Sequence, residues 1–352
     1  MAYTTIKKPS DYFDTKVYTG NGSSQTLTMD NLGMLWMKNR TETSNHCLFD
    51  SVRGGHYTSA PGPILRPNGT TAAGGSDITS AYGITFGSSS STIGSDGGGY
   101  NYNQNSKSYV GWQWRANGTG SANTDGSINS TVSANTTSGF SIVSYTGTGA
   151  NATVGHGLGA VPKFIMTKNL TSGSYGWYCY HASLGATKSL YLHTSDSEVT
   201  SSDRWNNTTP TSSVFSLGTN AGTNGSTNMI AYCFADVTGY SKFGSYVGNG
   251  NADGTFVYLG FKPAWVMVKN ANNSSADWTM FDVKRNTYNI MDKRLRANLN
   301  NAEDAPLGFI DFTSNGFKWR TDSFAVNGSG NTHVFMAFAE QPLVGDNPAT
   351  AR

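Results

Sequence analysis

Charged residues are scarce in this sequence. Asp, Glu, Lys and Arg make up 13% of its 352 residues, which is about half of their usual share in a soluble globular protein. The net charge is +2, and no cluster of Lys and Arg alternates with aromatic residues in the way that would follow a phosphate backbone. We therefore expect a surface of amide and hydroxyl groups and no nucleic-acid partner.

Cysteine is also scarce. Cys47, Cys179 and Cys233 lie far apart and form no Cys-x-x-Cys pair, so the sequence supports neither a disulfide framework nor a zinc site. We predict reduced cysteines in the core and no metal. No run approaches the roughly 18 apolar residues of a membrane span, and residues 1–14 lack the apolar stretch of a signal peptide. We expect no membrane insertion and folding in the cytoplasm where the chain is made.

Recognisable catalytic motifs are absent as well. There is no Gly-x-Ser-x-Gly elbow, and the only clustered carboxylates are Glu303-Asp304. His156 stands in a glycine-flanked turn without a second His or Cys at ligand spacing. The segment 249–254 begins like a calcium loop, but Gly260 occupies the twelfth position, where a Glu is needed. We predict turns at both places, no cofactor and no enzymatic activity.

The sequence does contain an internal repeat, beside 42 glycines and 12% aromatic residues. A Tyr-x-Gly-x-Gly signature begins at Tyr18, Tyr145 and Tyr246. Each signature is followed by an apolar segment ending in Lys-Asn, then by an aromatic residue with Asp or His, and finally by an apolar closing segment. The closing segments read YVGWQW (109–114), MIAYCF (229–234) and HVFMAF (333–338). This period indicates three related units.

The repeat predicts an all-β fold of three tandem β-sandwich units that resemble jelly rolls. The expected divisions are an N-terminal attachment segment (1–14), unit 1 (15–115), a polar linker (116–136), unit 2 (137–237), unit 3 (238–340) and a loose C-terminal tail (341–352). Unit 1 also carries a Gly/Ser-rich insertion over 87–105. Because the linker is long and polar, we expect a mobile joint after unit 1 and a stiffer one after unit 2.

The sequence also predicts which residues of the strands face a core. Residues two apart share a face of a strand, so Val110, Trp112 and Trp114 and their equivalents in units 2 and 3 should point into a core. The Lys-Asn segments are apolar at nearly every position. This pattern predicts a central strand that is covered on both faces.

Two sets of residues are candidates for functional or structural contacts. Lys38, Lys168 and Lys269 recur, and we expect them to pair with Asp50, His181 and Asp282 at strand ends, either as structural pairs or as a repeated anion or glycan contact. Trp205, with Arg204 and Asn206, lies between turn residues. This group is the candidate surface contact, although burial under its own unit is the alternative.

The run SGFSIVSYTGTGANATVGHGLGAVPKFIMTKN (138–169), together with VNGSGNTHVFMAFAE (326–340), resembles a family of structural proteins of tailed phages, abundant in marine and cyanobacterial phages. The resemblance extends over all three units. It implies a virion protein of the tail-fibre kind, assembled in the host cytoplasm, with other virion proteins as partners and no catalytic residues to transfer.

Three functional hypotheses follow from this resemblance. The first is a tail fibre or tail appendage that contacts the host surface, as a homotrimer, through weak contacts with a glycan or receptor that multiply with copy number. The second is a capsid decoration or head-fibre protein, which needs no receptor. The third is a glycan-degrading tailspike, which the absence of a catalytic motif disfavours.

Overall fold

The computed structural model describes residues 4–28, 33–54, 64–73, 83–86, 90–95 and 101–350. Within these residues the chain is all-β, as predicted. A 3-10 turn, Pro9–Asp11, precedes unit 1. The strands of unit 1 are β1 (Phe13–Thr19), β2 (Gln25–Leu27), β3 (Gly33–Asn39), β4 (Cys47–Asp50), β5 (Ile84–Phe86), β6 (Ser91–Ile93) and β7 (Ser108–Arg115).

Unit 2 follows with strands β8 (Ser121–Asn123), β9 (Ser130–Asn135), β10 (Phe140–Thr146), β11 (Ala152–Gly155), β12 (Phe164–Asn169), β13 (Trp177–His181), β14 (Lys188–Tyr191), β15 (Val199–Thr200), β16 (Val214–Leu217) and β17 (Asn228–Phe234). Unit 3 contains β18 (Ser241–Val247), β19 (Phe256–Tyr258), β20 (Phe261–Asn270), β21 (Thr279–Asp282), β22 (Leu295–Arg296), β23 (Ile310–Thr313), β24 (Gly316–Trp319) and β25 (Thr332–Pro342). The helices are single turns, α1 (Ser202–Trp205), α2 (Ala221–Asn224) and α3 (Phe324–Asn327). None of the described helices has the length and hydrophobicity to cross a membrane.

Each unit has two antiparallel layers. The main sheets have the strand orders β1-β7-β3-β4 in unit 1, β15-β14-β13-β12-β17-β10-β9-β8 in unit 2 and β18-β25-β20-β21-β22 in unit 3. The smaller outer sheets are β2-β6-β5, β11-β16 and β19-β24-β23. In every unit the closing strand therefore lies between the strand of the Tyr signature and the Lys-Asn strand, so the sequence repeat corresponds to one repeated topology.

The Lys-Asn strands are buried on both faces, as their sequence predicts. Every residue of β3 and β12 is buried, and so is every residue of β20. In unit 1, Leu35 and Met37 pack with the outer sheet, whereas Met34 and Trp36 point to the other side, into a core shared with units 2 and 3. The central position of these strands explains why they tolerate so few polar side chains.

The shared core reveals an approximate threefold arrangement of the units. One position of the three closing strands is always aromatic, and its three side chains pack against one another. These residues are Trp114, Phe234 and Phe338. The ring centroids are 6.3 Å apart for Trp114–Phe234, 5.6 Å for Trp114–Phe338 and 6.0 Å for Phe234–Phe338. The side chains predicted to face a core thus form one aromatic centre for the whole chain.

Three equivalent seams join the units into a closed ring. At each seam, a backbone N–H from one unit donates to the carbonyl that follows the Lys-Asn pair of the next unit. These hydrogen bonds are Ala73 to Leu170 (2.8 Å), Glu198 to Ala271 (2.7 Å) and Glu303 to Arg40 (2.9 Å). Unit 3 therefore contacts unit 1 in the same way that units 1 and 2 contact their successors.

The division of the chain differs from the predicted one. The segment 116–136, predicted as a mobile linker, contains β8 and β9, and β9 pairs with β10 at the edge of the main sheet of unit 2. Edge strands are partly open to water, so a polar composition does not exclude them. The shared aromatic core also replaces the expected chain of separate sandwiches with one packed ring.

The described residues near both ends are packed in the core or hydrogen-bonded. Of the predicted attachment segment 1–14, Ile6 and Phe13 are buried in the shared core. At the other end β25 extends to Pro342, and Ala349 donates its N–H to the Pro342 carbonyl. Residues 1–3, residues 351–352 and, within the predicted insertion 87–105, residues 87–89 and 96–100 lie outside the described residues.

Candidate functional site

The outer sheet of unit 3 presents two aromatic side chains to solvent. Phe256 and Tyr258 stand two residues apart on β19, so they share its outer face, while Val257 between them points into the core. Their exposed fractions are 45% and 54%. Large exposed aromatic residues side by side on a sheet are unusual because they lose the free energy of burial.

The equivalent strands of the other units lack these aromatic residues. Val257 corresponds to Leu27 in β2 and to Val154 in β11, since each is a buried aliphatic residue of the first strand in its outer sheet. The residue before it is Thr26 in unit 1 and Thr153 in unit 2. The aromatic surface is thus an addition to one unit and not a requirement of the repeated fold.

A groove of about 300 Å³ lies beside Tyr258. Asp236, which precedes β18, and Lys242 in β18 form one wall, and the turn after β19 forms another through Gly260. Gly260 has φ +83°, a conformation that favours glycine. Asp236 accepts a hydrogen bond from the Phe243 N–H at 2.8 Å, which fixes one carboxylate oxygen at the groove.

Charges around this surface are largely compensated. Lys242 donates to the Tyr258 carbonyl at 2.7 Å, and its ammonium group lies 5.4 Å from the centre of the Tyr258 ring. On β24 and after it, Lys318 pairs with Asp253 at 2.5 Å, and Arg320 pairs with Asp311 at 2.6 Å. The surface therefore offers aromatic rings and hydrogen-bonding groups without an excess of one charge.

A comparison with known proteins identifies one relationship. The sequence profile of a family described as a domain of unknown function, DUF7483, matches residues 8–342. The chain belongs to the DUF7483 family. No curated protein and no solved structure matches it. Because the matched segment spans all three units, the DUF7483 domain corresponds to the whole closed ring.

Trp205, which the sequence suggested as part of a surface contact, is buried in this DUF7483 domain. Trp205 is 2% exposed and packs in the core of unit 2, where its ring is 6.0 Å from that of Tyr180. Arg204 is also buried, and its guanidinium carbon lies 5.5 Å from the Tyr178 ring centre. Asn206 follows α1 with φ 49° as its C-cap. The three residues thus form a helix end, which corrects their interpretation as a surface contact.

The predicted lysine pairs are also wrong. Asp50 in β4 lies opposite Met34 in β3, at the other end of β3 from Lys38, and units 2 and 3 have the same register. Each lysine instead turns toward backbone carbonyls. Lys168 donates to the carbonyls of Thr70 (3.0 Å), Asn169 (2.8 Å) and Tyr175 (2.7 Å).

The other two lysines have the same environment. Lys269 donates to the carbonyls of Ser195 and Asn270 at 3.0 and 2.7 Å, and Lys38 donates to Asn39 at 2.6 Å. Burial lowers the pKa of all three ammonium groups to about 8. Since Ser195 belongs to unit 2 and Thr70 to unit 1, the DUF7483 lysines at positions 168 and 269 stabilise the seams and do not form an open anion site.

Asp50, Asp282 and His181 lie at the seams as well. The Tyr232 hydroxyl donates to Asp50 at 2.5 Å, and the Trp112 indole N–H donates to Asp282 at 3.0 Å. Tyr232 and Trp112 hold equivalent positions in two closing strands. The partners missed by sequence reasoning were therefore side chains of a neighbouring unit.

The third closing strand has Met336 at that position, and a methionine has no N–H or O–H to donate. At this seam the domain has His181 instead of Asp, and the His181 Nε2 lies 3.2 Å from the Phe335 carbonyl. A buried carboxylate without a donor would be costly, whereas a neutral imidazole can donate to a carbonyl. The departure of unit 2 from the Asp pattern thus has a structural reason.

The remaining candidates have structural partners. Glu303 bonds to Arg40 and Arg285, and although burial raises its pKa, these guanidinium groups outweigh that effect and hold the pKa below its usual value. His156 accepts from the Leu158 N–H and lies 3.2 Å from the Thr211 carbonyl. Among the described residues, no group of three or more His, Cys, Asp and Glu side chains could hold a metal ion. The three cysteines are buried, as predicted, and none of them forms a disulfide within the described residues.

Proposed function

We propose that this DUF7483 domain is a structural protein of a phage virion, of the tail-fibre or tail-appendage kind, and that it contacts the host surface through unit 3. The observation that carries the proposal is the pair Phe256 and Tyr258, which is exposed on one of three units that share a common strand order in their main sheets. A scaffold with three similar outer sheets needs no such residues for folding, so their presence on one sheet favours a binding role.

The architecture supports this role in a second way. A ring with a single aromatic core and bonded seams holds an outer sheet at a fixed position, and rigid elements make precise binding surfaces. The similarity of residues 138–169 and 326–340 to tailed-phage structural proteins supports the same assignment. Partners would be other virion proteins and the host surface.

The location can be tested by electron microscopy of intact virions of the encoding phage, labelled with antibody against the purified protein. We expect label on the tail. Label confined to the head would overturn the proposal in favour of the capsid decoration hypothesis, and virions without label would remove the virion assignment altogether.

The homotrimer stays a prediction. Because one chain already closes a threefold ring, a trimer would have to form through its outer surfaces or its ends. Light scattering decides between a mass of 37.5 kDa for one chain and three times that mass. The tailspike hypothesis is tested separately by incubation with host polysaccharide, since an unchanged polymer length would exclude it.

A further inference from the structure

The groove beside Tyr258 has the features of a small-ligand site. We infer that it binds a neutral saccharide, which stacks on the Tyr258 ring and hydrogen-bonds to Asp236. This inference gives the proposed host contact its chemical class and rests on the proposed function for its biological meaning. The binding itself can be measured with the isolated protein.

The aromatic rings indicate a ligand with an apolar face and a polar edge. The C–H groups of a sugar ring can pack on an aromatic face, while the hydroxyl groups around the ring need donors and acceptors. Tyr258 is 54% exposed and lines the groove directly, and Phe256 continues the same face. Asp236, held by the Phe243 N–H, supplies a fixed acceptor at the groove.

Electrostatics favours a neutral ligand. The cations nearest to the aromatic face are already engaged, because Lys318 pairs with Asp253 and Lys242 donates to the Tyr258 carbonyl. Arg320 is likewise bound to Asp311. An acidic polymer would have to compete with these contacts and would also meet Asp236, whereas uncharged hydroxyl groups can add to them.

Size argues for a saccharide over a protein partner. A stable protein interface buries about 800 Å² on each side, whereas two half-exposed aromatic side chains provide only a small part of that area, since each buries about 150–250 Å² when fully covered. The groove of about 300 Å³ falls at the lower end of the range for small-ligand sites. One or two sugar rings fit this scale.

The test is a titration of the full chain with neutral hexasaccharides of glucose, mannose and N-acetylglucosamine and with the neutral fraction of the host surface polysaccharide. Binding is measured by calorimetry and by saturation-transfer NMR. We expect at least one of these probes to bind. Its affinity should change by less than about twofold between 0.05 and 0.5 M NaCl, because no ion pair forms.

Variants identify the site. Tyr258→Ala should weaken binding about tenfold or more, and Asp236→Ala by a similar factor, since each removes one contact of about 1.4 kcal/mol. Tyr258→Phe keeps the ring and should stay within about threefold of the native affinity. Tyr288→Ala is the matched control, because Tyr288 is 79% exposed and does not line the groove. Unchanged circular dichroism shows that each variant is folded.

Several outcomes would overturn the inference. They are the absence of binding to every neutral probe, a preference for polygalacturonate with steep salt dependence, and loss of binding in Tyr288→Ala but not in Tyr258→Ala. Tail labelling without saccharide binding would remove this inference and leave the proposed function standing. Saccharide binding with unlabelled virions would do the reverse.

Discussion

The Tyr232 hydroxyl of unit 2 donates a hydrogen bond to the Asp50 carboxylate of unit 1 at 2.5 Å, and both side chains are buried. Asp50 also accepts from the Arg53 side chain at 2.5 Å. This contact belongs to a seam that recurs three times, with different chemistry each time. The stability of the ring should therefore depend on how well each seam matches its own donor and acceptor.

Replacing Tyr232 with Phe should lower the free energy of unfolding by about 1.5–3 kcal/mol, because a buried charged acceptor loses one donor. Urea denaturation followed by tryptophan fluorescence measures the change. Tyr288→Phe, at a solvent-exposed tyrosine, should stay within about 0.5 kcal/mol of the native protein. Equal stabilities of the two variants would show that the seam hydrogen bond contributes nothing.

Replacing His181 with Asp should destabilise the domain by about 3 kcal/mol, because the new carboxylate would be buried at the seam whose closing strand offers Met336. Adding Met336→Tyr supplies the donor found at the Asp50 seam. The double variant should recover about 1–3 kcal/mol relative to the sum of the single changes. Additive effects in this cycle would contradict the matched-seam interpretation.

Stability should fall on mild acidification because buried histidines must stay neutral. Burial lowers the pKa of His46 to about 3, with a smaller effect from Lys38, and lowers that of His181 and His333 to about 4. The unfolded chain binds these protons below pH 6.5, whereas the folded chain does not. Each histidine should therefore remove about 2 kcal/mol between pH 7 and pH 5.

The histidine effect can be isolated with His46→Gln. This variant has one fewer titrating group, so its loss of stability between pH 7 and pH 5, measured by urea denaturation at both values, should be smaller by about 2 kcal/mol. An unchanged pH dependence would mean that His46 is protonated in the folded domain, which its hydrogen bond from the Trp36 indole to Nδ1 opposes.

Trp205 should matter for stability and not for binding. Trp205→Ala removes a fully buried side chain from unit 2 and should cost about 3–5 kcal/mol. Trp205→Phe should cost less, since no hydrogen-bond partner of the indole N–H is found among the described residues. Saccharide titration of Trp205→Phe should match the native protein, and a loss of binding there would return Trp205 to the candidate site.

The sequence predicted the local structure of the strands well. The covered Lys-Asn strands and the inward face of Val110, Trp112 and Trp114 are confirmed, because alternation and continuous apolar runs depend on burial alone. Because these patterns depend on burial alone, they do not show which surface covers a strand. An inward face has the same sequence pattern whether it packs within its own unit or against another unit. The shared core was for that reason not predicted.

The site was harder to predict for a related reason. The register that separates Lys38 from Asp50 is set by how β3 and β4 pair, which spacing along the chain does not fix. Trp205 stands between turn residues, yet a single helical turn directs it inward. The segment Phe256-Val257-Tyr258 did carry a readable signal, since its alternation places two aromatic residues opposite a core valine.

The seam between units 3 and 1 has the same hydrogen bond as the other two, although these two units are not consecutive in the sequence. The arrangement of the three units in the ring therefore does not require a covalent connection at every seam. Lys7 and Gly345 also approach closely, so a short peptide could join the chain at these two positions. A circular permutant that opens between units 1 and 2, near Gly118, should then assemble the same ring.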